Sequence, residues 1–377
     1  MIDATSFGLL ASAYYYGYAS MQIPIAIMLD RYGPRYVVFA CAIICGIAML
    51  IFTYTTNWYF ALIGRFFIGV GSVVGFLGTS KVISQWFSKA DYARMVGFTF
   101  TIGLTGAIYG GKPISLLMAK FGWESIALFL ACVSIGIGFL TLLLLRFPGR
   151  NKADDEGDQD DAKLKLSDLG FVLKSPAIWL LAIANLLMVG SLEGFADVWG
   201  VNYMMTAYSI SKSDAAALLS FVFVGMLFGG PLLSLLSKKL GNHMVIGLCG
   251  FGMALVFVAI LSISSFNWYL MATLLFLIGV MCCYQVIVFA VGSEFVSDKM
   301  LGITIAFLNC INMFGGSFFH TTIGIMMDKF WQGSVSEGIR VYPSSAYVKA
   351  LMIIPVCAIV GAVIIFSLQA RTIRNGR

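Results

Sequence analysis

Eleven stretches of this chain, each about 20 residues long or a little more, are almost wholly apolar, and this pattern limits the fold more than any other feature. They run over 6–29, 36–54, 59–80, 95–119, 124–146, 177–205, 215–237, 244–264, 269–292, 301–326 and 346–370. About 20 apolar residues in a helix cross the hydrocarbon core of a bilayer. Inside lipid each backbone N–H must be bonded within its own segment, so such spans are helices. Strands of a β-barrel would be about 10 residues long and would alternate in polarity, which these do not. Of the 377 residues 60% are hydrophobic and 11% charged, where soluble domains carry about 25% charged residues. A soluble enzyme, a disordered chain and a nucleic-acid binder are excluded. The chain reads as an all-α polytopic membrane protein.

The net charge of +6 is spread through the loops, with no run of five basic residues. Alternate loops and the C-terminus hold 17 of the Lys and Arg residues, among them Arg31, Arg35, Lys81, Arg146, Lys238, Lys239 and Arg371. The opposite side holds five: Lys120, Lys212, Lys329, Arg340 and Lys349. Basic loops stay in the cytoplasm, which puts the C-terminus inside and Met1 outside. The eight cysteines (Cys41, Cys45, Cys132, Cys249, Cys282, Cys283, Cys310, Cys357) all lie in apolar runs without metal-ligand spacing and read as free thiols. No cleavable signal is legible. Nothing in the chain calls for a cofactor or a metal. It carries no nucleotide loop, no Gly-x-Ser-x-Gly and no metal pair, so it is not read as an enzyme.

The segment 147–176 is polar and carries Asp154, Asp155, Glu156, Asp158, Asp160 and Asp161. It reads as a cytoplasmic linker, with 164–173 suited to a short interfacial helix. The linker divides an N-terminal bundle of five spans (1–146) from a C-terminal bundle of six (177–377). The two parts repeat each other. Asn57-Trp58-Tyr59-Phe60 answers Asn267-Trp268-Tyr269-Leu270, an offset of 210; Asp30-Arg31-Tyr32-Gly33 answers Lys238-Lys239-Leu240-Gly241, an offset of 208; and Gly97-Phe98-Thr99 answers Gly302-Ile303-Thr304, an offset of 205. Parallel repeats of this kind place a transport site between the halves, near the bilayer midplane.

Asp30-Arg31-Tyr32-Gly33-Pro34-Arg35 resembles the signature Gly-x-x-x-Asp-Arg/Lys-x-Gly-x-Arg/Lys of the major facilitator superfamily, with Ala26 at the leading glycine. Arg65-Phe66-Phe67-Ile68-Gly69-Val70-Gly71 resembles that superfamily's fourth-helix pattern, and the resemblance extends over essentially the whole chain. It implies two pseudo-symmetric helical bundles. It also implies that the first span here is the superfamily's second helix, the usual first of twelve being absent through a late start or a truncation. Tyr14-Tyr15-Tyr16-Gly17-Tyr18, Met21-Gln22-Ile23-Pro24 and Phe195-Ala196-Asp197-Val198-Trp199-Gly200 are similar to the proteobacterial phagosomal amino-acid transporters and related lysosomal dipeptide carriers. That narrower resemblance implies amino acids or short peptides as substrate, coupling to protons, the bacterial inner membrane and a monomer.

Four charged residues lie well inside the spans, where each costs about 2.5–3.5 kcal/mol unless it has a partner or an aqueous cavity. Glu193 and Asp197 stand four apart, share a helix face, and repel when both are ionised, which suits a proton-coupling pair. Lys112 follows Gly110-Gly111 and precedes Pro113; it is placed to pair with Asp197, to hold a substrate carboxylate, or to snorkel. Arg65 matches the superfamily's fourth-helix arginine, which implies a part in coupling. Asp30, Arg31, Gly33 and Arg35 form the cytoplasmic gate motif that the resemblance implies. The uncharged candidates for substrate contact are Tyr14, Tyr18, Gln22, Tyr109, Tyr284, Gln285, Asn309 and Asn312, with Asn185 and His320 beside them.

The nitrate carriers of the superfamily use arginines in the spans that here are 6–29 and 215–237, and neither has one internally. A dianion would be repelled by Glu193 and Asp197, whereas a zwitterion finds an acid and a base. The expected function is therefore proton-coupled carriage of amino acids or short peptides. The alternatives are export of cationic amphiphiles by proton antiport, and a sensor or truncated chain that does not transport.

Overall fold

The computed structural model describes residues 3–145, 166–296, 300–336 and 339–375. The acidic tract 154–161, with Arg146, Arg150, Lys152, Lys163, Lys165, Lys299 and Arg377, lies outside them. The apolar spans are helices where the sequence puts them. The first half holds α1 (Ala4–Tyr32), α2 (Pro34–Tyr54), α3 (Trp58–Ser72), α4 (Val74–Trp86), α5 (Lys89–Gly110), α6 (Lys112–Phe121) and α7 (Trp123–Leu144). After the short α8 (Leu166–Leu173), the second half begins with α9 (Pro176–Met188). A 3₁₀ turn (Val189–Ser191), a π-helical segment (Leu192–Trp199) and α10 (Gly200–Tyr208) continue it. Then come α11 (Lys212–Leu240), α12 (Asn242–Ser262), α13 (Trp268–Cys282), α14 (Tyr284–Ser293) and α15 (Leu301–Lys329). A two-stranded hairpin, β1 (Val335–Ser336) and β2 (Ile339–Arg340), leads into α16 (Ser344–Leu351) and α17 (Ile353–Asn375).

Among the described residues nine helical stretches are long and apolar enough to cross a membrane, with α3 and α4, α9 through α10, α13 and α14, and α16 and α17 each counted as one. Eleven spans are expected from the sequence, and the two that are not among these nine fall on α1 and α5. α1 and α5 are helices of 29 and 22 residues in the expected places, and polarity sets them apart. The first two-thirds of α1 carries Thr5, Ser6, Ser12, Tyr14, Tyr15, Tyr16, Tyr18 and Ser20; α5 opens with Lys89, Asp91 and Arg94 and ends at the break Gly111.

The repeated motifs are structural punctuation. Asn57 caps α3 by accepting from the Tyr59 N–H, and Asn267 caps α13 by accepting from the Leu270 N–H. An asparagine at this position satisfies one of the free N–H groups of a helix start. Gly33 and Gly241 turn the chain between α1 and α2 and between α11 and α12 with φ of 78° and 87°, which only glycine adopts without strain. The helix pairs also match. A Cβ at Gly69 would overlap the Tyr14 carbonyl oxygen, and one at Gly279 would overlap that of Val222, so α1 lies on α3 as α11 lies on α13, backbone to backbone.

One feature of the second half is not repeated. Met188 of α9 lies against Gly250 and Gly361, and the Tyr284 hydroxyl donates to the Asn185 carbonyl oxygen at 3.1 Å. The equivalent faces of α2, α4 and α7, including Ala42, Gly75, Gly78 and Ser134, line a groove of about 650 Å³. No counterpart of α9 is found among the described residues of the first half. The buried core follows this difference. In the second half it runs through all the helices from α9 to α17, while in the first half a small separate cluster joins Ile25, Leu29, Val37, Cys41, Val73 and Val74.

All eight cysteines are free thiols. Replacing Gly69 by valine should separate α1 from α3 and cost about 1–3 kcal/mol or more by overpacking. Thermal unfolding of the purified protein in detergent checks this, with the exposed Gly97→Ala, where added bulk meets nothing within 4 Å, as the neutral comparison.

Candidate functional site

α1 and α15 cross between the halves with their backbones in contact, because Gly8 meets the His320 carbonyl and Gly324 meets that of Ala4. The small residues Gly8 and Ser12 on α1, and Gly316 and Gly324 on α15, form the facing strips. The Ser12 hydroxyl donates to the Ser317 carbonyl oxygen at 3.1 Å. Gly316 leaves room for the Tyr15 ring, and Tyr15 thereby reaches across to the second half.

There it meets the two acids. The Tyr15 hydroxyl donates to Glu193 and lies 3.0 Å from Asp197 Oδ2. Both acids stand on the π-helical segment, whose wider turn ends with the Gly200 N–H bonded to the Phe195 carbonyl. Such bulges recur at functional sites, since they re-aim side chains without ending the helix. His320 closes the cluster. Its Nε2 donates to the Glu193 carbonyl oxygen at 2.6 Å and lies 3.8 Å from Asp197 Oδ2. A carbonyl can only accept, so Nε2 carries the hydrogen and Nδ1, which is buried, has no partner among the described residues. The His320 and Tyr15 rings meet edge to face at 5.1 Å. The His320 side chain is fully buried, whereas that of Asp197 is 47% exposed.

Arg65 faces this cluster from α3. It is half-buried, lies 5.6 Å from the Tyr14 ring and 5.7 Å from the Phe52 ring, and has no acid partner among the described residues. Its charge is close enough to act on Tyr14 and His320, as is that of Asp197. The arrangement is a cation in the first half, two acids in the second, and the tyrosines of α1 between them.

The other sequence candidates are dispersed. Tyr18 leans on Tyr14 at 5.9 Å. Gln22 is buried with neither amide atom paired among the described residues. Asn312 donates to Gln285 at 3.2 Å, while Asn309 is half-buried on the same helix. Tyr284 is fully buried on the Asn185 backbone, and Tyr109 is 63% exposed on α5. Lys112 pairs with Asp214 at 3.1 Å rather than with Asp197, one of the three roles the sequence leaves open for it. In the gate motif Asp30 pairs with Lys81 at 2.6 Å, Arg35 donates to the Leu142 carbonyl at 2.7 Å, and Arg31 lies 5.4 Å from the Tyr32 ring. Gly33 makes the turn.

A second network, unforeseen from sequence, lies at the end of the bundle where α1 begins. The Asp328 carboxylate accepts from the Thr5 N–H at 2.8 Å, the Thr5 hydroxyl at 2.5 Å, the Tyr342 hydroxyl at 2.5 Å and Arg340 at 2.9 Å. An acid of the second half thus satisfies free N–H groups at the start of a helix of the first. The Tyr342 phenol is pushed up to about 12 by burial and by Asp328, so it remains a donor. The Lys112–Asp214 and Arg340–Asp3 pairs join the halves at this same end. At the opposite, basic end the described ion pairs stay within one half.

A profile of the Major Facilitator Superfamily matches residues 1–320. The chain is 26% identical over 135 residues to the probable sulfoacetate transporter SauU of Cupriavidus necator, a match covering 36% of this chain and 31% of that protein. It is 24% identical over 382 residues to the membrane sensor protein UhpC of Escherichia coli, covering 94% of this chain and 84% of that one. The chain thus spans about a third of the first relative and most of the second. Among solved structures, a bacterial homologue of the human lysosomal transporter Spinster superposes with a TM-score of 0.74 at 17% identity, over 98% of this chain and 90% of that one.

Replacing Asp328 by alanine should cost about 1–3 kcal/mol, because the Thr5 N–H at the start of α1 and the Tyr342 hydroxyl lose a common acceptor. A fall in the melting temperature in detergent checks this, and an unchanged one would count against the network's role.

Proposed function

The chain belongs to the Major Facilitator Superfamily, and from that membership we propose that it is a secondary transporter coupling a small organic solute bearing a carboxylate or sulfonate to protons. The observation that carries this reading is Arg65, a half-buried cation without an acid partner among the described residues, facing two acids whose carboxylates are already bonded to Tyr15. A cation at membrane depth requires a compensating group. The anionic end of a solute supplies one. Glu193 and Asp197 take the proton, in keeping with two carboxylates held too close to be ionised together at low cost. The sulfoacetate named for one relative carries both of these groups; it is a dianion, so it binds once a proton on Glu193 and Asp197 has lowered the repulsion that the two ionised acids exert.

A second reading, amino acids or short peptides, rests on the half-exposed Asp197 side chain. It offers an ammonium group an acid while Arg65 takes the carboxylate. Arg65 counts against cationic amphiphiles, which meet a like charge. The long match to a sensor protein makes signalling without transport the result to watch for. The basic loops support a cytoplasmic C-terminus, and the bacterial inner membrane is proposed with it.

Uptake into proteoliposomes under an inward proton gradient tests the proposal, using labelled sulfoacetate, glucarate, glycine and a dipeptide. Accumulation of an anion should fall about 10²-fold in Arg65→Gln, since about 3 kcal/mol of charge-assisted binding is lost. Asp197→Asn should still exchange solute while losing gradient-driven accumulation. Uptake of glycine or the dipeptide alone would favour the second reading, and movement of none of the four would favour a sensor.

A further inference from the structure

We infer that Tyr15 completes the proton site, so that Glu193 and Asp197 hold a shared proton only while α1 and the π-helical segment are closed together. This rests on reading those two acids as the proton site. Three oxygens meet here, the Tyr15 hydroxyl, one of Glu193 and one of Asp197. They come from both halves of the molecule. Two hydrogen bonds among three oxygens need two hydrogens, and the phenol brings one. The second is a proton on the acid pair. Without it, one phenolic hydrogen faces two like charges that repel each other across it.

The other groups around the pair do not replace that hydrogen. His320 Nε2 is committed to the Glu193 carbonyl and lies beyond hydrogen-bond distance of Asp197. Arg65 reaches the cluster through the Tyr14 ring, with no ion pair to either acid. Tyr14 and Tyr18 lean on each other on the next face of α1. Cys282 and Tyr284 approach from the helices behind and bond to Met253 and to the Asn185 carbonyl instead.

Proton binding therefore depends on conformation. When α1 moves away from the π-helical segment, the phenol leaves, the pair loses its bridge, and the proton passes to water on the opened side. The closed state binds one proton more than the open one, so it is favoured as pH falls. The Phe7 and Trp199 rings, 5.4 Å apart across the same seam, part in the same movement.

Hydrogen–deuterium exchange on the full chain in proteoliposomes tests this without a substrate. Peptides covering residues 4–15 and 316–329 are followed between about pH 5 and pH 8, and corrected for the intrinsic pH dependence of amide exchange. In the wild type, protection should rise by up to about tenfold per pH unit as pH falls, the slope for one linked proton. Tyr15→Phe, which keeps the ring and removes the hydroxyl, should flatten that slope to within about twofold. Tyr16→Phe should retain it. Glu193→Gln carries its own hydrogen and should hold protection at the low-pH level throughout. A flat wild-type profile overturns the inference, as does an undiminished slope in Tyr15→Phe. If these profiles appear while no solute is transported, the transport reading fails and the proton link stands.

Discussion

The polar part of this molecule depends on the contact of α1 with α15. Lipid supplies no hydrophobic drive for two helices to meet, so their closeness comes from van der Waals packing and polar bonds between them. Gly8 and Gly324 let the two backbones touch, and the Ser12 hydroxyl fastens the middle. A larger side chain at either glycine would part the helices by more than a hydrogen bond tolerates. Tyr15 would then lose its acids, and Asp328 would lose the amides at the start of α1. The buried cluster and the terminal network are thus two consequences of one crossing.

Much of the fold is legible in the sequence because the bilayer demands it. Length and apolarity of each run locate the helices, and Asn57, Asn267, Gly33 and Gly241 mark their starts and turns by chemistry that needs no tertiary partner. The breaks at Val73 and Cys283 are not legible, since an apolar run looks the same whether its hydrogen bonds are continuous or interrupted, whereas Gly110-Gly111 and Pro113 mark the one at Gly111. The polarity of α1 is legible as composition. Its reason, a polar seam against another helix, becomes visible only with α15 in place.

The site divides in the same way. Spacing alone puts Glu193 and Asp197 on one face. Tyr15 stands in a run of three tyrosines that point in three directions, and only the position of α15 selects it. A signal was present in the small residues Gly316, Ser317, Thr321 and Gly324, with Ser317 and Thr321 four apart, the pattern of helix pairs in membranes. Lys112 and Asp214 are 102 residues apart, and Asp214 reads locally as a helix-start acid beside Ser211. Asp328 likewise reads as the polar end of a span until the hairpin returns Arg340 and Tyr342 to it.

The two halves match in helix order, turns and close backbone contacts, yet the chemistry is one-sided. Both acids stand on the continuation of α9, the element that has no counterpart among the described residues of the first half. The first half contributes a cation and phenols instead. Opposite charges face each other across the seam; a solute anion would be held at Arg65 and a shared proton would bridge Tyr15 to the acids, each neutralising a charge that the closed seam otherwise carries. Solute and proton then act on one shared interface with the same sign. That is the condition for moving them together, and it follows from where α1 is held, between Arg65 and the acids.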